Sequence, residues 1–207
     1  MSFAGSSPLS ISDTALCSAA ALAYSQAPTI AVGDVHAIIT TIDGISIVAF
    51  RGTVPTSWAD WFRDFAAWPD RLKNHPALGY CHDGFVTGAD AVLPLLNAAL
   101  SGPYVLTGHS LGGALAIAAG ALLADCGKPP LRLTTFGAPR VGFSLTHLLA
   151  PIDGTRYRHG DDPVPEVPSF PYLNDRPWTH IGKSNPLDPI GDHAISRYAL
   201  ALASGLA

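Results

Sequence analysis

The segment Val105-Leu106-Thr107-Gly108-His109-Ser110-Leu111-Gly112-Gly113 constrains this chain more than any other: an apolar run passes through Gly-x-Ser-x-Gly directly into small residues. A strand that becomes a helix within one residue forces Ser110 into a strained turn. Gly108 and Gly112 are required there because side chains would collide as strand and helix pack closely. The turn lifts the Ser110 hydroxyl clear of the sheet. The helix that starts there aims its N-terminal dipole at the site, and the Leu111 N–H can stabilise an oxyanion. A bare Gly-x-Ser-x-Gly arises by chance; the strand before it and the small-residue helix after it give it weight.

The surroundings fit a folded carrier for such a turn. Of 207 residues, 48% are apolar and 14% charged, with 12 Lys and Arg against 16 Asp and Glu. This composition predicts one domain over residues 1–207, whose core needs neither disulfide nor metal, and it excludes disorder for most of the length. A formal net charge of -4 offers no basic field for nucleic acid. The most apolar stretch, residues 111–124, is broken by Gly112, Gly113 and Gly120 and falls short of the roughly 18 residues of a spanning helix. No transmembrane segment is expected. Residues 1–12 place no Lys or Arg before their few apolar residues, unlike a signal peptide. The chain is therefore expected to be cytoplasmic if Met1 is its natural start, and secreted if a leader was removed. Cys17, Cys81 and Cys126 have no zinc or Cys-x-x-Cys spacing and read as small buried or idle thiols.

Spacing predicts a helix over 12–25, capped by Ser12 or Asp13, and a hairpin of 36–41 and 45–50 joined by Asp43-Gly44. Helices are expected at 89–100, 111–125 and about 192–203, and strands at 104–107, 131–136 and 155–158. Residues 163–189, rich in proline, read as irregular. Strands alternating with helices imply a sheet covered on both faces, with parallel middle strands.

A serine hydroxyl needs a base, and the base needs an acid to hold it. In a strand–elbow–helix fold they follow the serine in the order acid, then His. Of eight histidines, His36, His75, His82 and His109 precede Ser110, while His147, His159, His180 and His193 follow. His109 lies inside the elbow, pointing away from the nucleophile, and reads as a packing or hydrogen-bonding residue. His193, after Asp192 at a loop-to-helix junction, is favoured as base, with His180 as rival. For the acid, Asp161 and Asp162 follow the strand at 155–158, and Asp162 is chosen because Pro163 restrains it. Asp175, Asp188 and Asp192 stand as alternatives for the acid, and each otherwise reads as a solvated loop carboxylate or helix cap.

With these residues in hand, the sequence resembles the class 3 lipases, an α/β-hydrolase family that includes the fungal triacylglycerol lipases. The likeness covers roughly residues 38–198 and rests on ordered motifs. Phe50-Arg51-Gly52-Thr53 is similar to the family's oxyanion loop, and His82-Asp83-Gly84-Phe85 to its His-x-Gly-Phe element. Thr135-Phe136-Gly137-Ala138-Pro139-Arg140-Val141-Gly142 is similar to the strand and turn beyond the elbow. The resemblance implies an α/β-hydrolase with a mostly parallel central sheet, helices on both faces and a short lid-like helix. It implies Thr53 as second oxyanion donor opposite Leu111, and it maps the acid onto Asp162 and the base onto His193. His180 falls in a different family element. The aromatic segment 57–68 stands where the family has its lid, which implies transient contact with a lipid surface through Trp58, Trp61, Phe62 and Phe65.

The function so implied is a serine hydrolase that cleaves carboxylic esters, triacylglycerols or related acylglycerols, through an acyl-enzyme, with no metal or cofactor. An esterase for phospholipid, feruloyl or polyester substrates, transfer of the acyl group to an alcohol, and a catalytically silent binding module are the alternatives.

Overall fold

The computed structural model describes residues 11–53, 69–72, 74–143, 145–173 and 175–205. The aromatic segment with Trp58, Trp61, Phe62 and Phe65 lies outside the described residues.

Helix α1 (Asp13–Leu22) starts at the predicted cap: the Ser12 hydroxyl accepts the Ala15 N–H at 3.1 Å, satisfying an amide the helix itself cannot. Strand β1 (Ile30–Val32) turns at Gly33 (φ 54) into β2 (Val35–Ile42), which pairs with β3 (Ile45–Phe50). Asp43 and Gly44 hold the hairpin at φ 50 and 77, as the two-residue turn demands. Asp70–Arg71 (β4) and Tyr80–Cys81 (β5) form a small separate ribbon. Helix α2 (Asp83–Ala99), β6 (Tyr104–His109) and α3 (Leu111–Asp125) follow, then β7 (Arg132–Phe136) and α4 (Thr146–Leu149). The described chain finishes with β8 (Arg156–His159), β9 (Trp178–Ile181) and α5 (Ile195–Ala203).

The main sheet has the order β1-β2-β3-β6-β7-β8-β9. Its first three strands are antiparallel and the rest run parallel from β3 onward. The period of two along a strand divides the core into two layers. Val48, Phe50 and Leu106 face the layer covered by α2, α3 and α4, while Ile47, Ala49 and Val105 face the layer covered by α1 and α5. Helix α3 is buried on nearly every side because it lies between β6 and α2. Its Ala and Gly residues let it approach the sheet closely.

Three expectations change. Residues 178–181 are a strand and not irregular: the short Trp-Thr-His-Ile run, closed by Gly182, joins the edge as the parallel partner of β8. Helix α2 begins at Asp83 and not Ala89. Gly84 and Gly88 hid its first turns, and the second allows close packing, since a methyl there would lie 3.2 Å from both Leu115 Cδ2 and Val35 Cγ2. The last helix begins at Ile195, because Gly191–His193 forms a separate 3-10 turn. Cys17 and Cys81 are buried, Cys126 is exposed, and all are free thiols.

Candidate active site

Ser110 sits between β6 and α3 at φ 58 and ψ -130, a left-handed backbone that costs a non-glycine residue energy and persists because its surroundings impose it. Those surroundings are missing side chains. A methyl on Gly108 would lie 2.3 Å from the Gly112 carbonyl oxygen, and one on Gly112 would lie 2.2 Å from that of Phe50. Strand, helix and the loop after β3 thus close around the serine at backbone contact. The Ser110 N–H donates to the Phe136 carbonyl at 3.0 Å, and its own carbonyl accepts from Gly113 and Ala114 at 2.9 and 3.2 Å. The amide of Leu111 precedes these first intrahelical donors and points out of the helix end. Ser110 is only 2% exposed.

The structure brings Asp162 and His193 together beside this turn. His193 Nδ1 lies 2.8 Å from Asp162 Oδ2, and both residues are buried. Asp162 Oδ1 accepts the Val164 N–H at 2.8 Å, so the loop fixed by Pro163 and Pro165 aims the carboxylate. Tyr198 on α5 donates its phenol to Oδ2 as well, and burial followed by the Asp162 charge pushes that phenol well above its ordinary value. Gly137 (φ 57), next to the Phe136 carbonyl that holds Ser110, leaves the room this cluster fills: a methyl there would lie 2.7 Å from Asp162 Oδ2 and 3.0 Å from His193 Nδ1.

His109 packs against His193, with ring centroids 4.6 Å apart. Its Nε2 lies 2.7 Å from the His193 carbonyl, which can only accept, so Nε2 carries the proton and Nδ1 accepts from the Tyr24 hydroxyl at 2.7 Å. Burial, aided by His193, holds His109 well below 6.5 and hence neutral. It is the hydrogen-bonding residue the sequence predicted. Thr53 is reached through Gly52, whose missing side chain admits the Tyr24 hydroxyl and the His109 carbonyl. Thr53 is exposed and shares with His193, Tyr24, Ile190 and Ile195 the wall of a mainly apolar cleft of about 520 Å³. His180, the rival base, is exposed on the edge strand β9. His82 stacks on Phe85 at 4.1 Å and its N–H bonds the Val141 carbonyl, tying the start of α2 to the turn beyond β7.

Two carboxylates read as solvated or capping are neither. Asp175 is 8% exposed and pairs at 3.2 Å with Arg156, which is buried and also donates to the Ala138 carbonyl. Asp192 is 1% exposed and binds two loops. Only Asp188 behaves as a cap, accepting the Gly191 N–H at 2.9 Å. The roles of Tyr24 and Tyr198 are not legible in the sequence. The phenols lie in ordinary amphipathic patterns, and nothing local marks them. Among the described residues, no group of three His, Cys, Asp or Glu side chains could hold a metal, and no helix is long and apolar enough to cross a membrane.

A mostly parallel sheet flanked by helices, with a serine in a strained turn at a strand end, defines an α/β-hydrolase. The sequence pattern described as lipase (class 3) matches residues 47–172. The chain belongs to the class 3 lipase family. It is 38% identical over 130 residues to the secreted mono- and diacylglycerol lipase 1 of Fusarium solani, covering 56% of this chain and 37% of that protein. It is 36% identical over 154 residues to the secreted mono- and diacylglycerol lipase A of Penicillium cyclopium, covering 67% of this chain and 48% of that protein. The solved mono- and diacylglycerol lipase of Aspergillus oryzae superposes with a TM-score of 0.61 at 26% identity, over 75% of this chain and 61% of that one. The chain thus spans less than half the length of the two curated relatives.

Proposed function

We propose that this chain is a serine hydrolase of carboxylic esters that acts on acylglycerols, with residues 1–207 as one α/β-hydrolase domain. The observation that carries the reading is the buried Asp162–His193 pair, 2.8 Å apart, packed on Gly137 next to the carbonyl that holds strained Ser110. Family membership and the acylglycerol lipases among the relatives support the substrate class. The names of those relatives also support the secreted option for this chain. Contact with a lipid surface through Trp58, Trp61, Phe62 and Phe65 belongs to the same proposal.

In this mechanism Asp162 receives the Nδ1 proton of His193 in a hydrogen bond, which leaves Nε2 to take the Ser110 proton as the hydroxyl attacks the ester carbonyl. The amides of Leu111 and Thr53 stabilise the oxyanion, preorganised by the helix end and by the loop that Gly52 seats on His109. The C–O bond to the alcohol breaks as His193 returns the proton to it. Water, deprotonated by the same imidazole, then releases the acid from the acyl-serine. The apolar cleft walls favour an acyl or aryl group at about 0.8 kcal/mol for each methylene buried.

Hydrolysis of p-nitrophenyl butyrate and dioleoylglycerol tests the reading. Ser110→Ala is expected to lose both activities and its labelling by a fluorophosphonate; undiminished turnover by that variant rejects it.

A further inference from the structure

Asp192 precedes His193 in the chain, is 1% exposed, and has no part in the mechanism above. Its Oδ2 accepts the N–H of Asp161 at 2.9 Å and the N–H of Asn185 at 3.0 Å, while Oδ1 faces His159 Nδ1 at 3.5 Å. A carboxylate taken out of water is costly unless its lone pairs are satisfied. A residue that merely capped a turn would stay at the surface, as Asp188 does. Here one oxygen joins two segments by main-chain bonds. The first is the turn after β8, where Asp161 is the neighbour of Asp162. The second is the loop after β9, from which the chain runs to the 3-10 turn bearing His193. Gly160, at φ 47, makes room for the joint, since a methyl there would lie 2.3 Å from Asp192 Oδ2.

We infer that Asp192 is a positioning residue for the hydrolytic reaction: its buried carboxylate locks the Asp162 turn to the His193 turn and so sets the distance between acid and base. This rests on the triad reading given under the proposed function. Asp192 touches no reacting atom. It acts by fixing the backbone on the flank of each partner, and a displacement of about 1 Å in such a pair can cost on the order of a hundredfold in rate.

The side chain of Asn offers an oxygen that can take both main-chain bonds, so anchoring and charge are separable. Asp192→Ala, assayed well below its melting temperature, is expected to lose about tenfold to hundredfold in kcat on p-nitrophenyl butyrate, with KM within about threefold. Fluorophosphonate labelling of Ser110 should slow in parallel. Asp192→Asn is expected to restore kcat to within about threefold of the parent. A purely structural carboxylate would instead change the melting temperature and leave kcat untouched. Wild-type kcat in a folded Asp192→Ala, or an Asp192→Asn as slow as Asp192→Ala, overturns the inference. Should Asp192→Ala fail to fold, Gly160→Ala reads the same joint from the other side, and full kcat in that variant overturns it equally. Turnover that survives in Ser110→Ala would instead remove the triad reading, whatever Asp192 does.

Discussion

The Tyr24 hydroxyl lies 2.7 Å from Nδ1 of His109 and donates to it, because the ring proton sits on Nε2. The other nitrogen then holds the His193 carbonyl at 2.7 Å, so a residue just past α1 steadies the backbone of the proposed base through one ring. Burial keeps that ring neutral, well below 6.5.

A pH dependence of stability follows. The native chain resists a proton on His109 that the unfolded chain takes up, so the unfolded state binds more protons once the pH falls below about 6.5. Stability from this group is complete above that pH. It declines by up to about 1.4 kcal/mol per pH unit below it, until the native ring itself titrates. His159, lowered by burial against the opposing pull of Asp192, adds in the same direction. Urea midpoints at pH 7.5, 6 and 5 should fall in that order, and His109→Gln should flatten, without abolishing, the slope.

Removing the Tyr198 hydroxyl leaves Asp162 with the Val164 amide and His193 as donors. Tyr198→Phe is therefore expected to remain folded, at a cost of about 1–2 kcal/mol in chemical denaturation. Its kcat should drop about fivefold to twentyfold as the carboxylate loses a restraint. An unchanged kcat would show that the phenol serves only the core.

Two glycines of α3 give opposite outcomes. Gly112→Ala drives a methyl to 2.2 Å from the Phe50 carbonyl oxygen and pushes the loop bearing Thr53 away from the elbow. Esterase activity should fall by more than about a hundredfold, the scale of losing one oxyanion donor. Gly120→Ala meets only side-chain carbons at 3.4 Å and beyond, so it should keep full activity and gain up to about 1 kcal/mol from helix propensity. Paired melts and p-nitrophenyl butyrate rates decide both.

Asp175→Ala strands the guanidinium of Arg156, which is 1% exposed, and is expected to destabilise by about 3–5 kcal/mol by urea titration. Asp175→Asn retains an acceptor and should cost less.

The parts of this molecule legible in its sequence are those fixed locally. The elbow from Val105 to Gly113 announces itself because only glycine tolerates backbone contact on both sides of Ser110. Asp43-Gly44 announces a hairpin because its turn demands positive φ. Chain order and proline restraint single out Asp162 and His193 as the proposed acid and base, and the structure places the two side chains 2.8 Å apart. Asp192 was misread because burial is a tertiary property: its two main-chain partners come from Asp161 and Asn185, on separate loops. Strand β9 escaped for the same reason, since its register is dictated by β8 rather than by its own four residues.

The two coverings of the sheet are unequal. Tyr24 and Tyr198 both hang from the smaller one, built on α1 and α5, while α2, α3 and α4 grip the opposite side. Loosening of that smaller cover alone would withdraw both phenols and leave the bulk of the helical signal intact. Warming should accordingly silence turnover several degrees before the main loss of helical circular dichroism, and a stabilising graft meant to preserve catalysis belongs between α1 and α5.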